Sequence, residues 1–155
     1  MKNSKKWDSR KKAAEFGIDP KFVAAIIKVE SSGDPSAVRF EPKWRYVLTP
    51  EKWAKKNAIT VETERVLQSM SFGLMQIMGT KMRELGYDGP LSEAVDHDIS
   101  GHYACKFLKQ LFDKWQDPRM VAAAYNGGSP IMDPKTRLFR NEGYVVKVMK
   151  NYKGV

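Results

Sequence analysis

The sequence has little of the side-chain chemistry that many sites use, since its 155 residues include one cysteine and two histidines. A single cysteine excludes a disulfide within the chain, and Cys105 follows a helical pattern in which we expect a buried, unreactive thiol. His97 and His102 are five positions apart, about 140° around a helix, so they do not share one face. No other cysteine, histidine or carboxylate cluster has the spacing of metal ligands. We therefore expect no metal site and no Cys–His nucleophile.

Long apolar runs are also missing. No segment approaches the roughly 20 apolar residues that span a membrane, and the N-terminal MKNSKKWDSRKKAAEF lacks the apolar stretch of a secretory signal. We therefore expect no membrane span, and synthesis in a cytoplasm without an export signal. No repeat, low-complexity tract or Gly/Ser linker divides the chain, so we expect a single domain over residues 1–155 that acts as a monomer.

Positive charge is what the chain has in excess, with a formal net charge of +9. Such a balance attracts polyanions such as nucleic acid, anionic membrane surfaces or an acidic cell-wall polymer. A nucleic-acid-binding domain would gather its basic residues along one helix with exposed aromatic side chains. Here the basic residues are spread along the chain, apart from the N-terminal KKWDSRKK, and we expect no nucleic-acid partner.

The clearest local signals are helix starts, in which Asp or Thr precedes a proline. They predict helices from Pro20 to Ser31, from Pro50 to Lys56 and from Pro118 to Asn126, with Asp19, Thr49 and Asp117 as the N-caps. Apolar stripes at helical spacing predict two more, from Ile99 to Trp115 and from Glu142 to Asn151. Alternating strand patterns are scarce, and the best is VRFEPKWRYVL. We predict a mainly α fold with at most a small β-hairpin or ribbon.

One carboxylate stands out because it continues an apolar stripe. Phe22, Ile26 and Glu30 are spaced four apart on the helix that begins at Pro20. Partial burial and the negative end of the helix both favour the protonated form, so we expect the pKa of Glu30 to be raised. A glutamic acid kept protonated near neutral pH can act as a general acid. A structural ion pair with an Arg or Lys is the alternative that this context leaves open.

Two further segments suggest a pocket. SFGLMQIMG (71–79) is an apolar run with Gln76 as its amide and with Met75 and Met78. Flexible methionines and one amide suit a pocket that holds a sugar ring and its polar substituents. VAAAYNGG (121–128) ends a helix of small residues with Tyr125 and Asn126, whose polar tips would lie where the helix stops.

Taken in order, these segments closely resemble the soluble lytic transglycosylase family, whose catalytic domain is similar to goose-type lysozyme. The matching stretches are GIDPKFVAAIIKVESSGDPSAV (17–38), SFGLMQIM (71–78), VAAAYNGG (121–128) and GYVVKVM (143–149). They cover about a third of the chain, and their ordered combination is more specific than any one of them. The resemblance implies a lysozyme-like α domain that binds peptidoglycan glycan strands and cleaves their MurNAc–GlcNAc β-1,4 bond.

The resemblance also implies roles for individual residues. Glu30 matches the family's catalytic acid/base, which protonates the glycosidic oxygen and then activates the muramyl O6 hydroxyl, giving a 1,6-anhydro product without water. The positions that match residues holding substrate or orienting the glutamate are Ser31, Gln76, Met78, Tyr125, Asn126 and Tyr144. No metal or organic cofactor enters this chemistry.

The sequence departs from the family pattern between the first two motifs, where an insert of residues 39–70 replaces a short turn. The serine that the family places nine residues after the glutamate would fall near Arg39. The insert resembles those of phage-encoded members, so we expect an endolysin that reaches the wall after holin-type release, or a virion-associated lysin.

The insert leaves the mechanism open, because it brings carboxylates near the site. A hydrolytic muramidase uses two carboxyls, about 5–5.5 Å apart if retaining and about 6.5–9.5 Å if inverting. Glu41 is the first candidate for a second carboxylate and Glu64 the next, although Glu41 could instead form an ion pair with Arg39 or Arg45. We expect a transglycosylase, with a muramidase or a non-catalytic cell-wall-binding module on the same fold as alternatives.

Overall fold

The computed structural model describes residues 7–154. Within them the chain forms eight α-helices, one 3-10 helix and three short strands. The helices are α1 (Ser9–Glu15), α2 (Pro20–Ser31), α3 (Pro50–Asn57), α4 (Val61–Gln68), α5 (Gly79–Glu84), α6 (His97–Trp115), α7 (Pro118–Gly127) and α8 (Glu142–Lys153). The strands are β1 (Val38–Phe40), β2 (Met70–Phe72) and β3 (Ile77–Met78), and the 3-10 helix is Leu91–Val95. The predicted mainly α fold with a small β element is confirmed.

The three strands form one antiparallel sheet in the order β1–β2–β3. Val38 pairs with Phe72 and Phe40 with Met70, and the sheet continues through Ser71 opposite Met78. Of the alternating pattern VRFEPKWRYVL, only the first three residues form a strand, which does not pair with the residues directly after it. Instead β1 pairs with a strand about thirty positions later, because the intervening residues form α3 and α4 and return the chain to the sheet.

Two of the three predicted proline-linked caps form as expected. Asp19 Oδ1 accepts from the Lys21 amide at 2.9 Å, and Asp117 Oδ1 accepts from the amides of Arg119 and Met120. Thr49 occupies the N-cap position of α3 but has a φ of 36°, and its side chain makes no capping hydrogen bond. Its left-handed backbone differs from the extended conformation in which an N-cap side chain turns toward the helix.

The chain divides into two compact units. The first comprises Trp7 and residues 30–104, and the second comprises residues 8–29 and 105–154. The boundaries fall inside α2 and α6, so α2 contributes only its last two residues to the first unit. The expectation of one catalytic domain stays a prediction.

The first unit contains the sheet and the insert. Its core includes the fully buried Phe72, Met75, Met82 and Leu91. α3 packs against α4, and α4 packs against α5. Gly79, at the start of α5, has no room for a side chain, because a Cβ there would lie 2.3 Å from the Leu67 carbonyl oxygen. The insert therefore forms part of the core of this unit.

The second unit is helical and packs around aromatic rings. Phe22 meets Phe112 and Tyr152 edge-on, with ring centroids 5.0 and 5.3 Å apart. α7 packs against α8, and its buried residues are Val121 and the three alanines that follow it. Cys105 is buried as predicted, and burial raises the pKa of its thiol to about 12. Among residues 7–154, no helix has both the length and the apolar composition needed to cross a membrane.

Candidate active site

Glu30 lies in the last turn of α2, where its helix changes from a buried to an exposed environment. Phe22, Val23 and Ile26 on the apolar face are fully buried, whereas Glu30 is half-buried. The helix ends at Ser31 because the backbone then turns left-handed, with φ of 54° at Ser32 and 87° at Gly33. The predicted arrangement, in which a carboxylate extends an apolar face to the end of a helix, is present.

The residue beside the glutamate fixes the end of α2 to the sheet. Ser31 Oγ donates to the Leu74 carbonyl oxygen at 2.7 Å and accepts from the Gly33 amide at 3.2 Å. Leu74 lies in the turn between β2 and β3. Ser31 directly follows Glu30, and its hydrogen bond ties the end of α2 to this turn. The contact therefore helps to position Glu30.

Gln76 is the last residue of the same turn, and its side chain holds the turn in place. Its Nε2 donates to the carbonyl oxygens of Ala37 and Gly73, both at 2.9 Å, and its Oε1 accepts from Ser71 Oγ at 2.8 Å. Its backbone has a φ of 50°, a conformation unfavourable for a residue with a side chain. Both amide hydrogens are engaged within the protein, so this geometry favours a positioning role for Gln76 over direct contact with substrate.

Met78 and Arg39 lie on one face of the small sheet. Arg39 is opposite Ser71 and Ser71 opposite Met78, so the three side chains share that face. Ser71 is buried, Met78 is half-buried and Arg39 is exposed. Arg39 occupies the position at which the family's serine was expected, and Ser71 supplies the hydroxyl that binds Gln76.

Glu41 forms the ion pair that was considered as its alternative role. Its Oε1 lies 2.7 Å from Arg39 Nε, and both side chains keep contact with solvent. Its backbone amide donates to the Ser69 carbonyl oxygen at 2.9 Å and extends the contact between β1 and β2. A carboxylate engaged by a guanidinium is less available to activate a water molecule than an unengaged one.

Glu64 lies inside the first unit and not at its surface. Both of its oxygens accept from Arg83, at 2.8 and 2.9 Å, and both side chains are fully buried. Arg83 also donates to the carbonyl oxygens of Tyr87 and Gly89. Since its oxygens are occupied and no solvent reaches them, this geometry argues against Glu64 as a second carboxylate. It holds α4 to α5.

The second unit carries the remaining predicted residues at the C-terminal end of α7. Tyr125 is half-buried, and its ring lies 5.3 Å from that of Phe107. Asn126 is exposed, and its Oδ1 accepts from Asn141 Nδ2 at 2.9 Å. Asn141 also donates to the Ala123 carbonyl oxygen at 3.0 Å. These contacts fix Asn126 where the helix ends.

Tyr144 lies in the first turn of α8 and is half-buried. Its amide donates to the Asn141 carbonyl oxygen at 3.0 Å, so Asn141 is bonded to both α7 and α8. Sequence reasoning missed Ser71, which lies five positions before its partner Gln76, and Asn141, whose partners Ala123 and Asn126 lie 18 and 15 positions earlier. The position of Asn141 directly before α8 was the available signal for it.

The predicted residues thus fall into two groups. Glu30, Ser31, Gln76, Met78 and Glu41 belong to the first unit, whereas Tyr125, Asn126 and Tyr144 belong to the second. In the part of the chain that the structure describes, no three His, Cys, Asp or Glu residues are grouped so that they could hold a metal ion.

A mainly helical fold with a small antiparallel sheet, and with a half-buried glutamate at a helix end, defines the lysozyme-like class of proteins. The family model described as Transglycosylase SLT domain matches residues 8–144, and the chain therefore belongs to this family. Membership supports peptidoglycan lytic transglycosylase activity in general terms. No solved structure matches the chain.

Proposed function

We propose that the protein cleaves the MurNAc–GlcNAc β-1,4 bond of peptidoglycan with Glu30 as the general acid and base. The observation that carries the proposal is the position of this half-buried carboxylate at the end of α2, beside a serine bonded to the β2–β3 turn. A partly desolvated carboxyl favours its protonated form, which is the form an acid catalyst needs. The network through Gln76 and Ser71 preorganises this end of the helix.

The proposed reaction needs no water. Glu30 gives its proton to the O4 oxygen of the leaving GlcNAc while the bond from that oxygen to muramyl C1 breaks. The resulting carboxylate takes the proton of the muramyl O6 hydroxyl, and O6 forms a new bond to C1. The products are a free 4-hydroxyl and a 1,6-anhydro ring, and Glu30 regains its proton.

The two second-carboxylate candidates favour this outcome over hydrolysis. Glu41 is paired with Arg39, and Glu64 is enclosed with Arg83. The side chain of Glu41 is nevertheless 38% exposed to solvent. A muramidase that uses Glu30 and Glu41 is therefore the second candidate.

Mass spectrometry of the muropeptides released from purified peptidoglycan tests the proposal. We expect products lighter by one water than those of hydrolysis, without a reducing end. Reducing muramic ends would instead establish the muramidase. Absence of release from several wall types would contradict both and favour a binding module.

Two substitutions test the acid assignment. Glu30→Gln is nearly isosteric but has no transferable proton, so we expect unchanged thermal unfolding and a rate lower by roughly 10²–10⁴. Glu41→Gln is the matched control, for which we expect cleavage within about threefold of the parent under the transglycosylase reaction. Activity of Glu30→Gln within tenfold of the parent would refute the assignment.

The setting of the reaction is also a proposal. The resemblance of the insert to phage-encoded members supports a role as an endolysin or virion-associated lysin that reaches the wall during phage release or entry. We further propose that the protein acts as a monomer, which light scattering of the purified protein tests directly.

A further inference from the structure

The insert contains a segment whose backbone is fixed although its side chains are exposed. We name residues 42–49 the strap; it runs from β1 to α3 without helix or strand. Tyr46 on the strap is 75% exposed, and the side chains of Phe40 just before it and Leu48 within it also face solvent. An ordered apolar surface of this kind indicates a binding site more often than a scattered exposed residue does.

Buried polar groups hold the strap in place. Gln68, which is fully buried, accepts from the Leu48 amide at 2.7 Å and donates to its carbonyl oxygen at 3.0 Å. Thr80 Oγ1 donates to the Tyr46 carbonyl oxygen at 2.7 Å. The strap backbone is thus fixed on both sides of Val47 before any ligand arrives.

The ring of Tyr46 is supported from one side. The Trp44 ring meets it edge-on, with centroids 5.4 Å apart, and Trp44 Nε1 donates to the Tyr46 carbonyl oxygen and to Thr80 Oγ1. A rigid aromatic side chain loses little conformational entropy on binding, which is why tyrosine is common at the centres of binding surfaces.

The strap also carries positive charge. Lys43 and Arg45 on the strap are exposed, and so is Arg39 on β1. Arg39 is paired with Glu41, which leaves the two strap cations to attract an anionic partner. Peptidoglycan offers both matching features, since its sugar rings present apolar faces and its stem peptides carry carboxylates.

The strap is also continuous with the proposed site inside the first unit. It directly follows β1 and Glu41, and β1 pairs with β2, whose Ser71 holds Gln76. A glycan strand is a long polymer, so residues beyond the cleaved bond are available to such a neighbouring surface.

We infer that the strap is an additional binding surface for the glycan strand, on which Tyr46 stacks against a sugar ring and Lys43 and Arg45 bind stem-peptide carboxylates. This inference rests on the proposed function, because the insert would bind the same peptidoglycan strand that the proposed active site cleaves. The insert lies outside the family's common pattern, and it gives this chain a preference for long, peptide-bearing strands.

Binding of soluble, uncross-linked glycan strands with intact stem peptides tests the inference, measured by calorimetry on the Glu30→Gln protein so that no strand is cleaved. In that background we expect Tyr46→Ala to raise the Kd about tenfold. Tyr46→Phe keeps the ring and should stay within about twofold of the parent. Val95→Ala is the control, since Val95 is similarly exposed at 55% and lies away from the strap in sequence.

A second pair of measurements reports on charge. We expect the double variant Lys43→Ala/Arg45→Ala to raise the Kd about fivefold for strands with stem peptides. The same variant should raise the Kd by less than about twofold for strands from which an amidase has removed the peptides, since each MurNAc then carries only its lactyl carboxylate. This pair decides the question even if Tyr46→Ala fails to fold.

The outcomes separate this inference from the proposed function. If the unmodified protein releases muropeptides but Tyr46→Ala and the double variant bind strands like their parent, the strap inference alone is wrong. If the unmodified protein releases none, the proposed function fails and the inference falls with it. Tighter binding to duplex DNA than to strands, weakened by Tyr46→Ala, would overturn the inference in favour of a nucleic-acid surface.

Discussion

At the scale of single residues, Gln76 combines an unfavourable backbone conformation with a side chain whose hydrogen bonds lie within the protein. Its φ of 50° is maintained although a Cβ makes this region costly. The contacts to Ser71, Ala37 and Gly73 compensate that cost. Conformational strain at such a position is common beside functional groups.

Two substitutions of Gln76 separate these contributions. Gln76→Ala removes the hydrogen bonds and keeps a Cβ at positive φ, so we expect the free energy of unfolding to fall by about 2–3 kcal/mol. Gln76→Gly removes the same bonds but relieves the backbone, and should be about 1 kcal/mol more stable than Gln76→Ala. Urea unfolding measures both. A positioning role predicts a lower kcat in each variant, whereas a raised KM with unchanged stability would show direct substrate binding.

Cys105 illustrates a prediction that needs no tertiary partner. Its helical apolar context predicted a buried thiol, and the structure confirms it. Because burial raises the pKa of the thiol from 9.0 to about 12, we expect iodoacetamide at pH 8 to react about 10²–10³-fold more slowly with the native protein than with the unfolded chain. Mass spectrometry after timed labelling measures this. Comparable rates would contradict the burial.

The same shift has a consequence for stability at alkaline pH. The folded state favours the protonated thiol, so its contribution is fully present below about pH 9 and is lost as the pH rises toward 12. We expect the free energy of unfolding to fall across that range by at most about 1.4 kcal/mol per pH unit from this group. Cys105→Ala should show a shallower alkaline decrease. An identical slope would mean that other groups cause it.

At the scale of elements, patterns local in the sequence predicted most of the helices. They failed for elements whose pairing depends on residues far away in the sequence. α2 begins and ends at the predicted residues because its cap, its apolar face and its glycine stop are all local. The partner of β1 could not be predicted in this way, since α3 and α4 separate it from β2. The candidate glutamate at the end of α2 was found from spacing, whereas the role of Asn141 depends on α7 residues that lie 15 to 18 positions before it.

Glu64 shows the same limit of prediction from local patterns. Its position in the insert did not indicate that it would form a buried ion pair with Arg83. The pair joins α4 to α5, and Gln68 Nε2 donates to Glu64 Oε1 at 2.8 Å as well as to Leu48. The chain of contacts from Arg83 through Glu64 and Gln68 thus reaches the strap. A residue considered for catalysis instead supports the shape of the insert.

We expect Glu64→Gln to lower the free energy of unfolding by about 3–5 kcal/mol, because it leaves the buried Arg83 charge without a carboxylate. Denaturant unfolding measures this, with the exposed Glu62→Gln on the same helix as the control. The fraction of Glu64→Gln that remains folded should cleave peptidoglycan at nearly the parent rate. Full stability with lost cleavage would instead make Glu64 a catalytic carboxylate.

At the scale of the whole molecule, the net charge of +9 suits an anionic substrate such as peptidoglycan, but it does not show where on the protein that substrate binds. Long-range attraction raises the local concentration of an anionic polymer around the entire surface. The family assignment narrows the partners that the charge alone left open, because peptidoglycan is the substrate implied by the match over residues 8–144. We propose that the charge acts on encounter with the wall and retention there, while Glu30 carries out the chemistry.

This division predicts a salt dependence that differs between substrates. Between about 0.05 and 0.3 M NaCl the Debye length shortens from roughly 14 Å to 6 Å, so release of muropeptides from intact walls should fall by about tenfold. Cleavage of short glycan fragments without stem peptides should change by less than about twofold, since such a fragment carries only one lactyl carboxylate per MurNAc. Initial rates for both substrates at each salt concentration test this. Equal salt sensitivity would show that the charge acts on the catalytic step itself and not on capture of the wall.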